Sequence, residues 1–140
     1  VDFVLTYEEL MGIFEAKNVD LETIEPDEEL KNGTGLGRGF AAAGGVALAV
    51  EDVIRKLRPG AEVKIQRADG LRECRKLLTL ARAGKLDGYL LEGMACPGGC
   101  IAGAGTIIAP EQAAKKLKEH IAQADVTSCA DSPFCAELEK

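Results

Sequence analysis

The sequence predicts an α/β protein, a three-layer-like sandwich in which helices flank a mostly parallel sheet of about four strands. The first reason is that short apolar segments of strand length alternate with longer segments whose apolar residues recur at helical spacing. The second is that capping residues, prolines and glycines stand where the helical segments begin and end. Because 46% of the 140 residues are hydrophobic and only 4% are aromatic, we expect one domain with an aliphatic core.

Two strands and one helix are predicted before the first glycine-rich stretch. Residues 1–5 form an apolar run that indicates a buried strand, and residues 19–24 indicate a second, shorter one. Between them, Thr6 and Glu9 have the spacing of a capping box, in which each side chain bonds the backbone N–H of the other residue. We therefore predict that a helix begins directly after Thr6.

Glycine is concentrated in residues 33–45, which lead into a helix predicted for residues 46–57. Gly37, Gly39 and Ala42 fit a loose form of the dinucleotide-binding fingerprint, which cradles a pyrophosphate at a helix N-terminus. No convincing strand leads into this stretch, and the lysine-containing phosphate-loop pattern is absent. We therefore favour a flexible loop over a nucleotide site.

The second half of the chain is predicted to contain two more strands and two more helices. Residues 61–68 alternate apolar and polar side chains as a half-buried strand does, and Asp69 is predicted to cap a helix that continues to about residue 83. Residues 87–92 form a further strand, and Pro110 occupies the first turn of the last helix. Ligand sites in open α/β sheets lie at the carboxyl ends of strands, which is where residues 87–92 lead.

The predicted folded region covers residues 1–125, and residues 126–140 form a polar tail for which flexibility is the expectation. A net charge of −6 argues against a nucleic-acid partner. No apolar run approaches the ~20 residues that cross a bilayer, so we expect a soluble, cytoplasmic protein with no membrane partner. Val1 opens an apolar run without a preceding methionine, and we therefore expect the chain to be part of a longer protein.

The five cysteines do not resemble a disulfide framework, because their number is odd and four of them cluster in two short segments: Cys74, Cys96, Cys100, Cys129 and Cys135. Cys74 falls on the apolar side of a predicted helix and is interpreted as a small core residue. Cys96 and Cys100 are separated by Pro-Gly-Gly, which favours a tight turn that holds both thiols near one ligand.

Three kinds of chemistry remain open for the Cys96–Cys100 pair. Zinc takes four thiolates, and Cys129 with Cys135 are candidates for the other two, although their spacing is long. An iron–sulfur cluster also takes four thiolates and suits a glycine-rich backbone that points N–H groups at the sulfur atoms. A redox dithiol is less favoured because such enzymes use a Cys-x-x-Cys motif.

The run Glu92-Gly-Met-Ala-Cys-Pro-Gly-Gly-Cys100 resembles the third signature motif of the large subunit of iron-only ([FeFe]) hydrogenases. The resemblance extends upstream through residues 43–46 and residues 1–10, and it covers roughly residues 1–108. It implies an active site in which a [4Fe-4S] cubane is joined through one cysteine sulfur to a di-iron unit that carries carbon monoxide, cyanide and a dithiolate.

By that resemblance Cys96 is a ligand of the cubane and Cys100 is the bridging ligand. Met94 packs against the di-iron unit as a polarizable apolar wall, and Gly98 and Gly99 let the backbone approach the cluster. The reaction implied for the longer protein is reversible proton reduction and hydrogen oxidation, with ferredoxin as the electron partner.

The resemblance is incomplete in two respects. Gly-Ala-Gly-Thr-Ile at residues 103–107 stands where the family usually has Gly-Gly-Gly-Gln-Pro, a variation that suits sensory members. The other two cysteine motifs are absent and are expected before Val1 in the N-terminal lobe of the same protein. The isolated chain is then expected to hold no stable cluster, to lack turnover, and to self-associate through its exposed inter-lobe face. The alternative is a non-enzymatic zinc or iron–sulfur module that uses Cys96, Cys100, Cys129 and Cys135.

Overall fold

The computed structural model describes residues 1–25 and 33–135, and these residues form an α/β fold, as predicted. Three short 3-10 turns lie at Gly39–Ala41, Cys100–Ala102 and Cys129–Asp131. The helices and strands in chain order are α1 (Tyr7–Ala16), α2 (Gly35–Arg38), α3 (Gly45–Leu57), β1 (Lys64–Asp69), α4 (Leu71–Arg82), β2 (Tyr89–Met94) and α5 (Pro110–Ala122).

The sheet of the described residues has two strands rather than the predicted four. β1 and β2 run parallel, in a register that pairs Lys64 with Tyr89 and Asp69 with Met94, and α4 connects them. Residues 1–5 and 19–24 form no strand, so both predictions were wrong. An apolar run becomes a strand only where a neighbouring strand completes its hydrogen bonds, and neither segment has such a neighbour among the described residues.

Three helices begin where the sequence signals predict. The capping box of α1 is complete, because the Glu9 N–H donates to Thr6 Oγ1 at 3.2 Å and the Thr6 N–H donates to Glu9 Oε2 at 2.8 Å. Helix α3 begins at Gly45, where a β-carbon would overlap the Gly39 carbonyl, and α5 begins at Pro110. No helix in residues 1–25 and 33–135 is long and apolar enough to cross a membrane.

Helix α4 begins differently from the prediction. Its N-cap is Gly70, which has a φ of +89°, and no side chain caps the helix. Asp69 is instead the last residue of β1, and its carboxylate accepts a hydrogen bond from the distant Gly98 N–H. The prediction that Asp69 caps this helix was therefore wrong, because the carboxylate turns toward a loop that is remote in sequence.

The core is built from small side chains, and much apolar surface is exposed. Its buried hydrophobic residues are Ala47, Ala49, Leu77 and Ala113. The chain exposes 10863 Å², roughly one and a half times what a compact monomer of this size exposes. Large apolar side chains contribute to that surface, among them Phe3, Val4, Tyr7, Leu57, Leu71 and Leu78. Such a surface is typical of a face that another folded unit covers.

Residues 126–135 contact the rest of the fold. The carbonyls of Val126 and Thr127 accept hydrogen bonds from the first residues of α2, at 2.8 and 2.9 Å. The buried Ser128 hydroxyl donates to the carboxylate of Asp52 on α3. These contacts give this part of the predicted tail a defined place against α2 and α3. The flexibility predicted for residues 126–140 stays a prediction, and residues 136–140 lie outside the described residues.

Candidate functional site

The cysteine loop, residues 95–100, leaves the carboxyl end of β2 and ends in the turn Cys100–Ala102. The Gly99 N–H donates to the Cys96 carbonyl at 3.0 Å, which closes the loop into a turn. Both thiols are free, with Cys96 half-buried and Cys100 exposed. The fold thus brings the two predicted ligands together in one short loop at the carboxyl edge of the sheet.

Two consecutive glycines give the loop its shape. Gly98 and Gly99 have φ values of +88° and +92°, which side chains rarely adopt. A β-carbon on Gly99 would lie 2.5 Å from the Ala43 nitrogen and 2.6 Å from the Ala41 carbonyl oxygen. The Ala43 N–H donates to the Gly98 carbonyl at 3.2 Å. The space that Gly99 leaves is therefore filled by the chain's own residues 41–43, which enter α3.

Gly103 leaves room for the half-buried thiol, a role that the sequence reasoning missed. A β-carbon at this position would lie 3.3 Å from Cys96 Sγ and 3.2 Å from the Cys100 carbonyl oxygen. Both contacts are tighter than ordinary van der Waals packing. The sequence signal is the Gly103-Ala104-Gly105 run, but only the folded loop shows which atom the first glycine accommodates.

Asp69 holds the loop from the side of β1. Its Oδ2 accepts from the Gly98 N–H at 2.9 Å, across 29 residues of sequence. Next to it, Gly70 lies against the Pro97 ring, because a β-carbon at Gly70 would stand 3.5 Å from Pro97 Cγ. The end of β1 therefore contacts the loop midway between the two cysteines.

Glu92 in β2 links both strands to α3. Only 8% of this residue is exposed, and its Oε1 accepts from the Val46 N–H in the first turn of α3 at 3.2 Å. Its Oε2 lies 3.8 Å from Nε of Arg67, its register partner in β1, which is an ion-pair distance but too long for a hydrogen bond. A carboxylate is favourable there because the N-terminus of a helix carries partial positive charge. The first residue of the EGMACPGGC run thus anchors the fold.

Met94 and Cys74 meet at the carboxyl edge of the sheet. Met94 is half-buried at the end of β2, and its carbonyl accepts from the Gly70 N–H at 2.8 Å. The Cys74 thiol is half-buried and donates to the carbonyls of Met94 at 3.4 Å and Ala68 at 3.5 Å. Cys74 therefore lies under the strand ends, as the interpretation of a core residue requires.

An apolar groove of about 310 Å³ opens beside Cys100. It is lined by Tyr7, Ala41, Cys100, Ile101, Thr106, Ile107, Ile108 and Ala113. Helix α1 reaches this groove because Gly105 lies directly against Thr6, where a β-carbon would stand 2.7 Å from Thr6 Cβ. The more exposed of the two thiols thus stands at the edge of an apolar, solvent-open surface.

The family described as the C-terminal domain of the iron-only hydrogenase large subunit matches residues 1–104, which include the whole cysteine loop. The chain belongs to this family. Among curated proteins, none matches. A solved structure, titled "Stepwise [FeFe]-hydrogenase H-cluster assembly revealed in the structure of HydA(deltaEFG)", matches with a TM-score of 0.64 and 22% identity. The match covers 99% of this chain and 51% of that one, so this hydrogenase-family chain shares its fold and spans about half its length.

The part of this hydrogenase-family chain that the structure describes does not gather four cysteines at one point. Residues 1–25 and 33–135 include all five cysteines, yet they contain no group of three His, Cys, Asp or Glu side chains placed to hold a metal ion. Cys129 Sγ lies 3.3 Å from Thr34 Oγ1, and the Cys135 thiol donates to the Cys129 carbonyl at 3.0 Å. Cys129 thus lies beside Thr34 at the start of α2, and Cys135 lies against the Cys129 backbone. This arrangement does not support the four-cysteine module, which stays a prediction.

The cofactor that the family implies is a cluster of iron and sulfur, which takes thiolates as ligands. The loop fits part of such a cluster, because it offers two soft sulfur donors and Gly103 keeps a side chain off Cys96 Sγ. It does not fit a whole one, since a cubane takes four protein ligands. The chemistry of the donors therefore matches a site that is completed from elsewhere.

Proposed function

We propose that this chain is the C-terminal lobe of the catalytic domain of an iron-only hydrogenase, and that Cys96 and Cys100 supply two thiolate ligands of its cluster. The observation that carries the proposal is that both free thiols lie in one glycine-containing loop at the carboxyl edge of the sheet, in a chain of this family. When bound, the cluster supplies the reversible reduction of protons to hydrogen. The protein supplies position, access and the local dielectric.

The environments of the two thiols support different roles. Cys96 is half-buried in the turn and backed by Gly103, which suits a ligand that holds the cubane against the lobe. Cys100 is exposed at the apolar groove, which suits a bridging ligand that faces the space between two lobes. Met94, two residues before Cys96, adds a thioether wall. Gly98 and Gly99 hold the loop in the turn that presents both sulfur atoms.

The remaining ligands are proposed to come from an N-terminal lobe of the same protein. The matched structure is about twice as long as this chain, and the apolar side chains near the loop are solvent-exposed. A lobe seated on that surface would exclude water from Cys100 and bring further thiolates to the cluster. We expect ferredoxin to deliver electrons to the assembled protein, and we expect the isolated chain to be inactive.

Anaerobic iron–sulfide reconstitution tests this proposal. Iron and acid-labile sulfide are counted per chain for the 140-residue chain and for the longer protein that contains it, each with Cys96→Ser, Cys100→Ser and Cys74→Ser. We expect little retained iron in the isolated chain and a cluster in the longer protein. That cluster should be lost with Cys96→Ser and Cys100→Ser and kept with the control Cys74→Ser, whose thiol lies under the strand ends.

Two results would contradict the proposal. A stable, stoichiometric cluster in the isolated chain would show that the site is self-contained. A cluster in the longer protein that survives Cys96→Ser and Cys100→Ser together would show that the loop thiols are not ligands.

A further inference from the structure

We propose that Asp69 is the positioning residue of the cysteine loop: its carboxylate fixes the peptide between Pro97 and Gly98 and thereby sets the relative placement of the two thiols. The inference concerns a residue outside the EGMACPGGC run and rests on the proposed function, because it assigns Asp69 a role through the two ligand thiols. Asp69 itself contacts neither sulfur in the structure; it acts through Gly98.

The geometry of Gly98 shows why one carboxylate can control the loop. Its N–H donates to Asp69 Oδ2 at 2.9 Å, and its carbonyl accepts from the Ala43 N–H at 3.2 Å. Asp69 of β1 thus bonds the peptide group before Gly98, and Ala43, which precedes α3, bonds the peptide group after it. Pro97 and Gly98 are the central residues of the turn that the Gly99 N–H closes on the Cys96 carbonyl. Pro97 restricts its own φ, but Gly98 and Gly99 can adopt many backbone conformations, so contacts from outside the turn help to hold this one.

The position of Asp69 in the fold supports the same role. It ends β1, where it pairs with Met94 of β2, so its backbone is held by the sheet. A carboxylate just before a helix normally bonds the free N–H groups of the first turn, yet α4 has no side-chain cap. The carboxylate is therefore committed to the loop instead of the helix that it precedes. The hydrogen bond is charge-assisted, which makes it stronger than a neutral one.

Amide hydrogen exchange of the full 140-residue chain, followed residue by residue by NMR, tests the hydrogen bond directly. Gly98 is exposed, so protection of its N–H has to come from this bond. Asp69→Ala is expected to speed exchange at Gly98 about tenfold. Asp69→Asn keeps an acceptor oxygen and is expected to retain most of the protection. The matched control is Asp87→Ala, an exposed aspartate before the opposite end of β2.

A dithiol probe tests the effect on the thiols. A trivalent organoarsenical bridges two thiols by forming two arsenic–sulfur bonds, while both thiol protons leave with its oxygen as water. Its affinity is measured in chains with Cys129 and Cys135 replaced by serine, and Cys96→Ser in that background should abolish bridging. We expect about tenfold weaker binding in Asp69→Ala, and near-parent binding in Asp69→Asn and Asp87→Ala.

Unchanged exchange at Gly98 in Asp69→Ala would overturn the inference. So would a loss of protection spread evenly over α3 and β2, because Asp69 would then only stabilise the fold. Equal arsenical affinity in Asp69→Ala and the parent would show that the hydrogen bond between Asp69 and Gly98 does not affect the placement of the thiols, and it would refute the positioning role. None of these outcomes depends on cluster loading. A failure of the proposed function would be seen as iron retention after Cys96→Ser and Cys100→Ser, and it is therefore distinguished from a failure of the role assigned to Asp69.

Discussion

Replacement of Gly99 by alanine should disrupt the loop more than any other single methyl addition near it. Gly99 has a φ of +92° and a ψ of −166°, a region that is essentially restricted to glycine and costs other residues about 1–3 kcal/mol. The new β-carbon would also stand 2.5 to 2.7 Å from backbone atoms of residues 41–43. Backbone cannot move aside as a flexible side chain can, so the hydrogen bond between Ala43 and Gly98 is lost as well, at about 1 kcal/mol. We expect about 2–4 kcal/mol of destabilisation in total.

Urea denaturation followed by circular dichroism measures this loss, with two glycine controls. Gly60→Ala adds a methyl group at a φ of +86° with nothing within 4 Å, so it reports backbone strain alone, about 1–2 kcal/mol. Gly12→Ala, inside α1 with nothing within 4 Å, should stabilise by up to about 1 kcal/mol. If Gly99→Ala costs no more than Gly60→Ala, the close packing of the loop on residues 41–43 does not exist in solution.

Three further outcomes are expected. Glu92→Ala should cost about 2 kcal/mol in urea denaturation, because a buried charged acceptor of the Val46 N–H is lost; an unchanged midpoint would contradict the anchoring role. Truncation after Asp125 should lower the free energy of unfolding by at least about 1 kcal/mol, since it removes the buried Ser128. The same truncation should leave iron binding by the longer protein unchanged, and a loss of iron would instead favour the four-cysteine site. Ile107 is an exposed apolar residue of the groove beside Cys100, so Ile107→Ser should reduce self-association of the isolated chain in sedimentation velocity. Unchanged self-association would show that the chains contact each other through another surface.

The starts of α1 and α5 could be predicted because their signals are local. The bonds between Thr6 and Glu9 lie within one turn, and Pro110 acts through its own ring. The number of strands could not be predicted in the same way. The segments predicted at residues 61–68 and 87–92 pair with each other after the chain passes through α4, whereas the more apolar residues 1–5 have no partner strand among the described residues. An apolar segment indicates burial, but its pairing depends on the rest of the fold.

For the candidate site, the sequence identified the thiols but not what holds them. The spacing of Cys96 and Cys100 and the glycines between them were sufficient to predict a shared loop. The contact of Asp69 with Gly98 and that of Glu92 with α3 join residues 29 and 46 positions apart, so no local pattern encodes them. Asp69 shows this limit, because its position before a helix predicts a cap, whereas in the fold its carboxylate accepts from the Gly98 N–H.

The two hydrogen bonds that hold Gly98 are both made within the described residues of this chain. The Gly98 N–H donates to Asp69 and the Gly98 carbonyl accepts from the Ala43 N–H, so both contacts are made by residues of this chain. Under the proposed function, the two thiols would therefore be placed before a cluster and a second lobe bind. Preorganisation of this kind lowers the ordering cost of binding. Because the buried core of the described residues is small and their apolar surface large, we expect the proposed second lobe to add mainly stability and exclusion of water, and to change the loop geometry little.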